Sequence, residues 1–378
     1  MWISATLDSQ LRARSEEFER LGQLPTDIAR DLRDEGLFAT WTPKVYGGAQ
    51  ASALEGLASI ARVSQADGAA GWCVMIALTT SLTAYLLPAH HAKEIFHPQA
   101  ITGGFAASMG RARPVEGGLR VTGRWAWGSG ISHCTSIGGG VRLVDDNGAP
   151  APREDGLAFP YVFFDPDDVE VLDTWHVAGL QGTGSTDYAV ADAFVPEGRW
   201  VEFGTTVPII GAPLSSFPLF GLLALGVASV SIGLLRRAIE ETVILANAKR
   251  PQGSAKTLAT RPTTQIDVAR ADATARSSWS FIHDVVGDAS DTAAQGESLS
   301  VEQRRLLRLA ATDTAARCAD AIRDLHLVAG GVDVYLSSPI QRAFRDVHVA
   351  TQHAMVAQRT YELAGRLALG LDTDMTQL

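Results

Sequence analysis

The stretch "GGVDVYLSSPIQRAFRDVHVATQHAM", Gly330 to Met355, carries the reading that decides the fold. Its paired glycines, Gly330 and Gly331, suit a helix stop, because glycine reaches the left-handed conformation without steric cost. On one side lies a helical run from Val301 to Ala329, and on the other a run from Ser338 to Leu369. Two earlier segments, Phe217 to Lys249 and Thr263 to Asp288, repeat the three- and four-residue apolar spacing of long helices. The polar linker "GDASDTAAQGES" separates the second run from the third. Residues 206–378 are therefore expected to form a four-helix bundle.

Upstream the texture changes. Between residues 101 and 205, short alternating segments such as "GGLRVTGRWAWGSG" and "GSTDYAVADAFVPEGRWV" are punctuated by glycine, aspartate and proline. That pattern predicts an antiparallel β domain, a barrel or sandwich. Residues 1–100 read as helices again, with Gly36 as a C-cap and Pro88 closing the nearly uniform apolar run "GWCVMIALTTSLTAYLLP". The fold class is thus α+β, mainly α, in the order helices, sheet, helical bundle.

Bulk chemistry narrows the function. Over 378 residues the chain is 46% hydrophobic and 20% charged, as expected of a globular protein. Its net charge of −10 argues against a nucleic-acid partner. Cys73, Cys134 and Cys318 lie far apart, which fits neither a disulfide framework nor a zinc site and suits a reducing cytoplasm. No signal peptide is predicted from the first residues. The apolar stretch Leu214 to Leu235 is interrupted by serines and reads as a buried helix, not a membrane span.

Several segments can carry chemistry. In "GRWAWGSG", Gly123 to Gly130, a strand ends in small residues, so backbone can approach a flat ligand at Gly128; a tight hairpin with core tryptophans has the same pattern. "DTWHVAGLQGTGST" has glycines at 179, 182 and 184 for tight turns, and Thr183 and Ser185 can bond local backbone. His176 and His326 have no special claim. Lys249 and Arg250, at the end of the first bundle helix, suit either a diphosphate or the helix dipole. No H-E-x-x-H, G-x-S-x-G or P-loop occurs, and "TGGFAASMG" lacks the Rossmann spacing.

Together these segments resemble the acyl-CoA dehydrogenase superfamily over essentially the full length. Its closing motif places Gly-Gly before a Pro, a basic residue and an Arg-Asp pair. Desaturating members carry a catalytic glutamate nine residues after that Arg. Counted from Arg345, that position is Ala354, which cannot take a proton, and His353 stands beside it. The exchange resembles the reduced-flavin-dependent, two-component monooxygenase branch, whose strand end reads G-R-W-P-F-x-S-G.

The resemblance implies an oxygenase that takes reduced flavin, FMN more than FAD, from a separate NAD(P)H-dependent reductase. Oxygen would add at the flavin C4a position, and one atom would pass to carbon, nitrogen or sulfur of a small organic substrate. His353 is the implied catalytic residue, as acid, base or hydrogen-bond donor. Trp127, Gly128 and Ser129 are the implied ring contacts, with the Ser129 hydroxyl near N5. Ser108, in a loop without the dehydrogenase acidic features, either faces flavin or substrate or is an ordinary strand serine. Arg250 stands where relatives bind pyrophosphate, though Gln252-Gly253 follows without the usual Phe. Gly330 and Gly331 would meet the flavin tail, often across a subunit interface, in a homotetramer built as a dimer of dimers. Thr80 takes the place of a histidine that phenol-hydroxylating relatives carry on their pocket wall. The competing readings are a thioester desaturase with a relocated base, Glu240 or Glu241, and a degenerate scaffold.

Overall fold

The computed structural model describes residues 3–150, 159–203, 205–375 and Leu378. Its first third is helical: α1 (Ala5–Leu21), α2 (Thr26–Asp34), α3 (Ala53–Ala66), α4 (Gly68–Ser81) and α5 (Ala89–Ile95). Ser4 caps α1 by accepting from the Leu7 amide, and Ser52 and Glu55 close a capping box on α3. Asp67 ends α3 and also caps α4 through the Ala70 amide, so one residue turns the chain between two helices. Every residue of α4 but Ile76 is buried.

The middle third is a seven-stranded sheet: β1 (Thr102–Val115), β2 (Gly118–Gly128), β3 (Ser136–Leu143), β4 (Pro160–Phe164), β5 (Glu170–Val171), β6 (Thr186–Pro196) and β7 (Trp200–Glu202). The spatial order is β5-β6-β2-β1-β3-β4-β7. β1 and β3 pair in parallel, so the sheet is mixed and not wholly antiparallel. Alternation of apolar and polar residues reports which face a side chain takes. It does not report strand direction, and so the parallel pair escaped the sequence pattern.

The last third holds α6 (Leu219–Ala248), α7 (Pro262–Ala294) and α8 (Val301–Ala329), then α9 (Pro339–Ala350) and α10 (Arg359–Ala368). The run predicted as one helix from Ser338 to Leu369 is two, with His353 in the break between them. The break has neither glycine nor proline. It is made by His353 itself, whose extended backbone starts a 3-10 turn, Ala354–Val356, and whose ring caps the Met355 amide. Histidine is an uncommon cap, so the sequence pattern runs through it unbroken.

One hydrophobic core joins all three parts, from Leu7 and Trp41 through Trp125 to Leu225, Ile322 and Val356. Helix α4 sits at its centre, packed on α3, α6 and β1. The helical stretches Gly68–Tyr85 and Leu219–Ala248 are long and apolar enough to cross a membrane, yet 94% of the first and 78% of the most apolar 18-residue window of the second are buried inside the protein. Their apolarity is used in the core.

Candidate functional site

Residues four apart on a helix share a face, and on α4 this row is Trp72, Ile76 and Thr80. Trp72 donates its indole N–H to Ser129 Oγ at 3.0 Å. Ile76 lies against Gly103, where an added Cβ would come 3.6 Å from its Cγ2. Thr80 donates to the Ile76 carbonyl at 2.8 Å and faces the Tyr161 hydroxyl. It is two turns, about 12 Å, from Trp72 along the helix. The row therefore forms a wall over the strand ends, with Trp72 at Ser129 and Thr80 at its far end.

The end of β2 is strained and open. Trp127 has φ of 60° and is 59% exposed, with its ring edge-on to Phe105 at 5.6 Å. A bulky residue in the left-handed region costs about 1–3 kcal/mol, which the surrounding packing must offset. Gly128 admits no side chain, because a Cβ there would meet Ile131 at 2.8 Å and Tyr188 at 2.9 Å. On the neighbouring strand the register jumps from Phe105↔Gly139 to Ser108↔Gly140, so Ser108 follows a bulge and is half-buried.

Behind Ser129 is a row of buried hydroxyls. Ser129 Oγ and Ser185 Oγ are 2.6 Å apart, Ser185 Oγ and Thr183 Oγ1 are 2.6 Å apart, and Thr183 Oγ1 reaches the Leu180 carbonyl at 2.8 Å. The loop carrying Thr183 is tied down from both sides. The Gly130 amide donates to the Thr183 carbonyl at 2.8 Å, and the Leu180 amide donates to Asp346 Oδ1 at 2.6 Å.

Opposite lies His353, whose ring stands 5.7 Å from that of Trp72 at 69°. Its Nδ1 accepts from the Met355 amide at 3.3 Å, so the neutral ring carries its hydrogen on Nε2. Enclosure by protein pushes its pKa down to about 4, and the Arg308 charge adds to the effect. The ring is therefore neutral at pH 7. Arg308, buried on α8, donates to the Met355 carbonyl at 3.0 Å and so ties down the turn that holds His353. Ala354 is exposed and brings no acid.

Gly330, Gly331 and Arg250 form a separate group. Gly330, with φ of 61°, ends α8, and Lys249 Nζ caps the Ala329 carbonyl at 2.6 Å. Gly331 faces open space, and exposed Arg250 donates to the Ala255 carbonyl at 3.4 Å. This group lies at the opposite end of α8 from Arg308, about 33 Å away along the helix. One chain thus brings together Trp127, Gly128, Ser129, Trp72 and His353, and leaves the helix-end group remote. The carboxylates considered for a relocated base are committed elsewhere: Glu240 to Arg12 at 2.9 Å and to Gln65, and Glu241 to Arg237 at 3.0 Å.

An exposed aromatic shelf, a glycine strand end and a buried, oriented hydroxyl fit a flat heteroaromatic ring such as flavin. Comparison with known proteins bears on the family and its chemistry. Residues 2–102 match the acyl-CoA dehydrogenase N-terminal domain and residues 225–358 the acyl-CoA dehydrogenase C-terminal domain. The chain belongs to the acyl-CoA dehydrogenase family. Within that family it falls among the flavin-dependent monooxygenases. It is 31% identical to an indole-3-acetate monooxygenase of Pseudomonas putida over 95% of this chain and 90% of that protein. It is 26% identical to the flavin-dependent monooxygenase oxygenase subunit HsaA of Rhodococcus jostii over 96% of each. A structure of XiaF from a Streptomyces species, in complex with FADH2 and glycerol, superposes with a TM-score of 0.87 at 26% identity, covering 99% of this chain and 98% of that one.

Two residues of this site were not singled out in the sequence. Trp72 read as one more apolar residue in a buried helix, and Arg308 as one charge among many on α8. The only hint was composition. Trp72 is the one aromatic in "GAAGWCVMIALTTS", and a large ring among small residues marks a surface that something else must meet.

Proposed function

We propose that this protein is the oxygenase component of a two-component system, receiving reduced flavin from a separate NAD(P)H-dependent reductase and oxygenating a small, largely apolar organic substrate. Bound reduced flavin supplies the electrons by which one atom of O2 goes to the substrate and the other leaves as water. The chain's own residues do the rest. Trp127 and Phe105 offer the ring a face, Ser129 a hydrogen-bonding partner at its edge, and Trp72 with α4 closes the site against water. His353 donates from Nε2 to an oxygen of substrate or oxidant, because its hydrogen placement and lowered pKa suit it to donate and not to abstract a proton.

The observation that carries this reading is the pairing of His353 with Ala354 across from Ser129: a polar donor is present, and the carboxylate that thioester desaturation needs is absent. Two finer points belong to it. The chain after Arg250 continues with Pro251, Gln252 and Gly253 and has no aromatic for an adenine, which favours FMN over FAD. The helix-end group is too far along α8 to serve the same flavin. It would instead meet the flavin of a second copy, in a homotetramer whose contacts use Leu327, Val334, Tyr335 and Leu336, all more than half exposed.

The test supplies NADH, a flavin reductase, FMN, isotopically labelled O2 and indole-3-acetate, the substrate named for the 31% identical relative, beside a panel of phenols. Incorporation of one labelled oxygen atom, dependent on this protein, is expected. Oxidation of an acyl-CoA with an artificial electron acceptor and without O2 would overturn the assignment.

A further inference from the structure

We propose that Ser129, Ser185 and Thr183 form a reversible hydroxyl relay that selects the redox state of the flavin, with Ser185 and Thr183 as positioning residues. The inference rests on the reading above and takes the ring edge that Ser129 meets to be the N5 edge. The three hydroxyls are buried and stand in line at 2.6 Å spacings, ending on the Leu180 carbonyl. Three hydroxyls in a row have three hydrogens, and the Trp72 indole N–H enters the row at Ser129 from the side.

The row can run two ways. Inward, Ser129 donates to Ser185, Ser185 to Thr183, and Thr183 to the Leu180 carbonyl. Every hydrogen then has a protein acceptor, and Ser129 keeps one lone pair open toward the site. Outward, Thr183 donates to Ser185 and Ser185 to Ser129, whose own hydrogen turns into the site. The Leu180 carbonyl loses nothing essential on reversal, since it also accepts from the Thr183 amide at 3.1 Å and from Trp175 Nε1 at 3.4 Å. No proton leaves the row and no bond to carbon changes; each hydroxyl only rotates.

The inward arrangement pairs every hydrogen without a ligand, so it is the resting one. It presents an acceptor, and reduced flavin carries a donor, N5–H. Oxidised flavin presents a bare N5 acceptor, and binding it requires the row to turn outward. The relay therefore favours reduced flavin over oxidised flavin, and accommodates the switch when the flavin is oxidised in place.

The experiment measures the Kd of reduced FMN anaerobically and of oxidised FMN in air, for wild type and variants whose circular dichroism matches it. Ser185→Ala removes the inward acceptor of Ser129, which turns its hydrogen outward. Thr183→Val does the same one step back, leaving Ser185 only Ser129 to donate to. Each should lower the ratio of oxidised to reduced Kd by roughly 3- to 10-fold, as expected for one redirected hydrogen bond. Thr183→Ser keeps the hydroxyl and should keep the wild-type ratio. A role limited to packing would weaken both flavins alike, so an unchanged ratio in Ser185→Ala and Thr183→Val overturns the relay. Should Ser185→Ala fail to fold, Thr183→Val alone decides. A wild type that binds neither flavin refutes the flavin reading itself, a result distinct from an unchanged ratio.

Discussion

At the scale of single residues, the account turns on His353 being neutral. Burial places its pKa near 4, and the Met355 amide holds Nδ1 as acceptor. Because this value lies below that of an unfolded histidine, near 6.5, the stability due to the neutral ring is fully present above about pH 6.5 and is lost as pH falls toward 4. Product formation should then show no titration of His353 between about pH 5.5 and 8, while His353→Ala should lower it by about 100-fold or more. An inflection near pH 6.5 that disappears in His353→Asn would show a base and not a donor. Trp72 supports both sides of the site. Trp72→Phe keeps a ring beside His353 but removes the donor to Ser129, so the ratio of hydrogen peroxide to product should rise by roughly threefold or more. An unchanged ratio would mean that the indole N–H does not orient Ser129. His353 was legible because it sits in register beside the missing carboxylate. Its tautomer was not, because that depends on an amide two residues on, in a turn with no breaker residue.

At the scale of elements, α9 positions the hydroxyl row from a distance. Gly179 lies so close to it that a Cβ would come within 2.4 Å of the Arg345 carbonyl, and Arg345 Nη1 donates to the Ala178 carbonyl at 3.0 Å. Asp346 holds the Leu180 amide, and burial, helped by the neighbouring charges of Asp67 and Glu19, raises its carboxyl to about 7. A carboxyl raised in the folded state contributes stability that is full below its unfolded value, near 3.9, and is lost as pH rises through about 7. Asp346→Asn keeps the acceptor without the charge. Its Tm should gain on that of wild type as pH rises from about 4 to 8. A constant difference would place the charge of Asp346 outside the stability balance. The Arg345-Asp346 pair was visible in the sequence as a family mark, and its physical task was not. That task is to hold a loop 166 residues earlier in the chain, and no local pattern reports such a contact.

At the scale of the whole molecule, three regions share one core, and the site lies where they meet: Trp72 from the first helices, Ser129 and Ser185 from the sheet, His353 from the bundle. The order of helices, sheet and bundle could be read from local pattern, since apolar spacing and the Gly, Asp and Pro punctuation change at each boundary. The meeting point could not be read that way, since it depends on tertiary packing around α4. The claim that this junction receives reduced flavin and shelters its reaction with oxygen is tested most directly by loading the protein anaerobically with reduced FMN, mixing it with O2 and following hydrogen peroxide. The account predicts that peroxide appears well after the reduced flavin is consumed, and more slowly than from free flavin in the same buffer. Peroxide released in step with flavin oxidation, at the rate of free flavin, would contradict it.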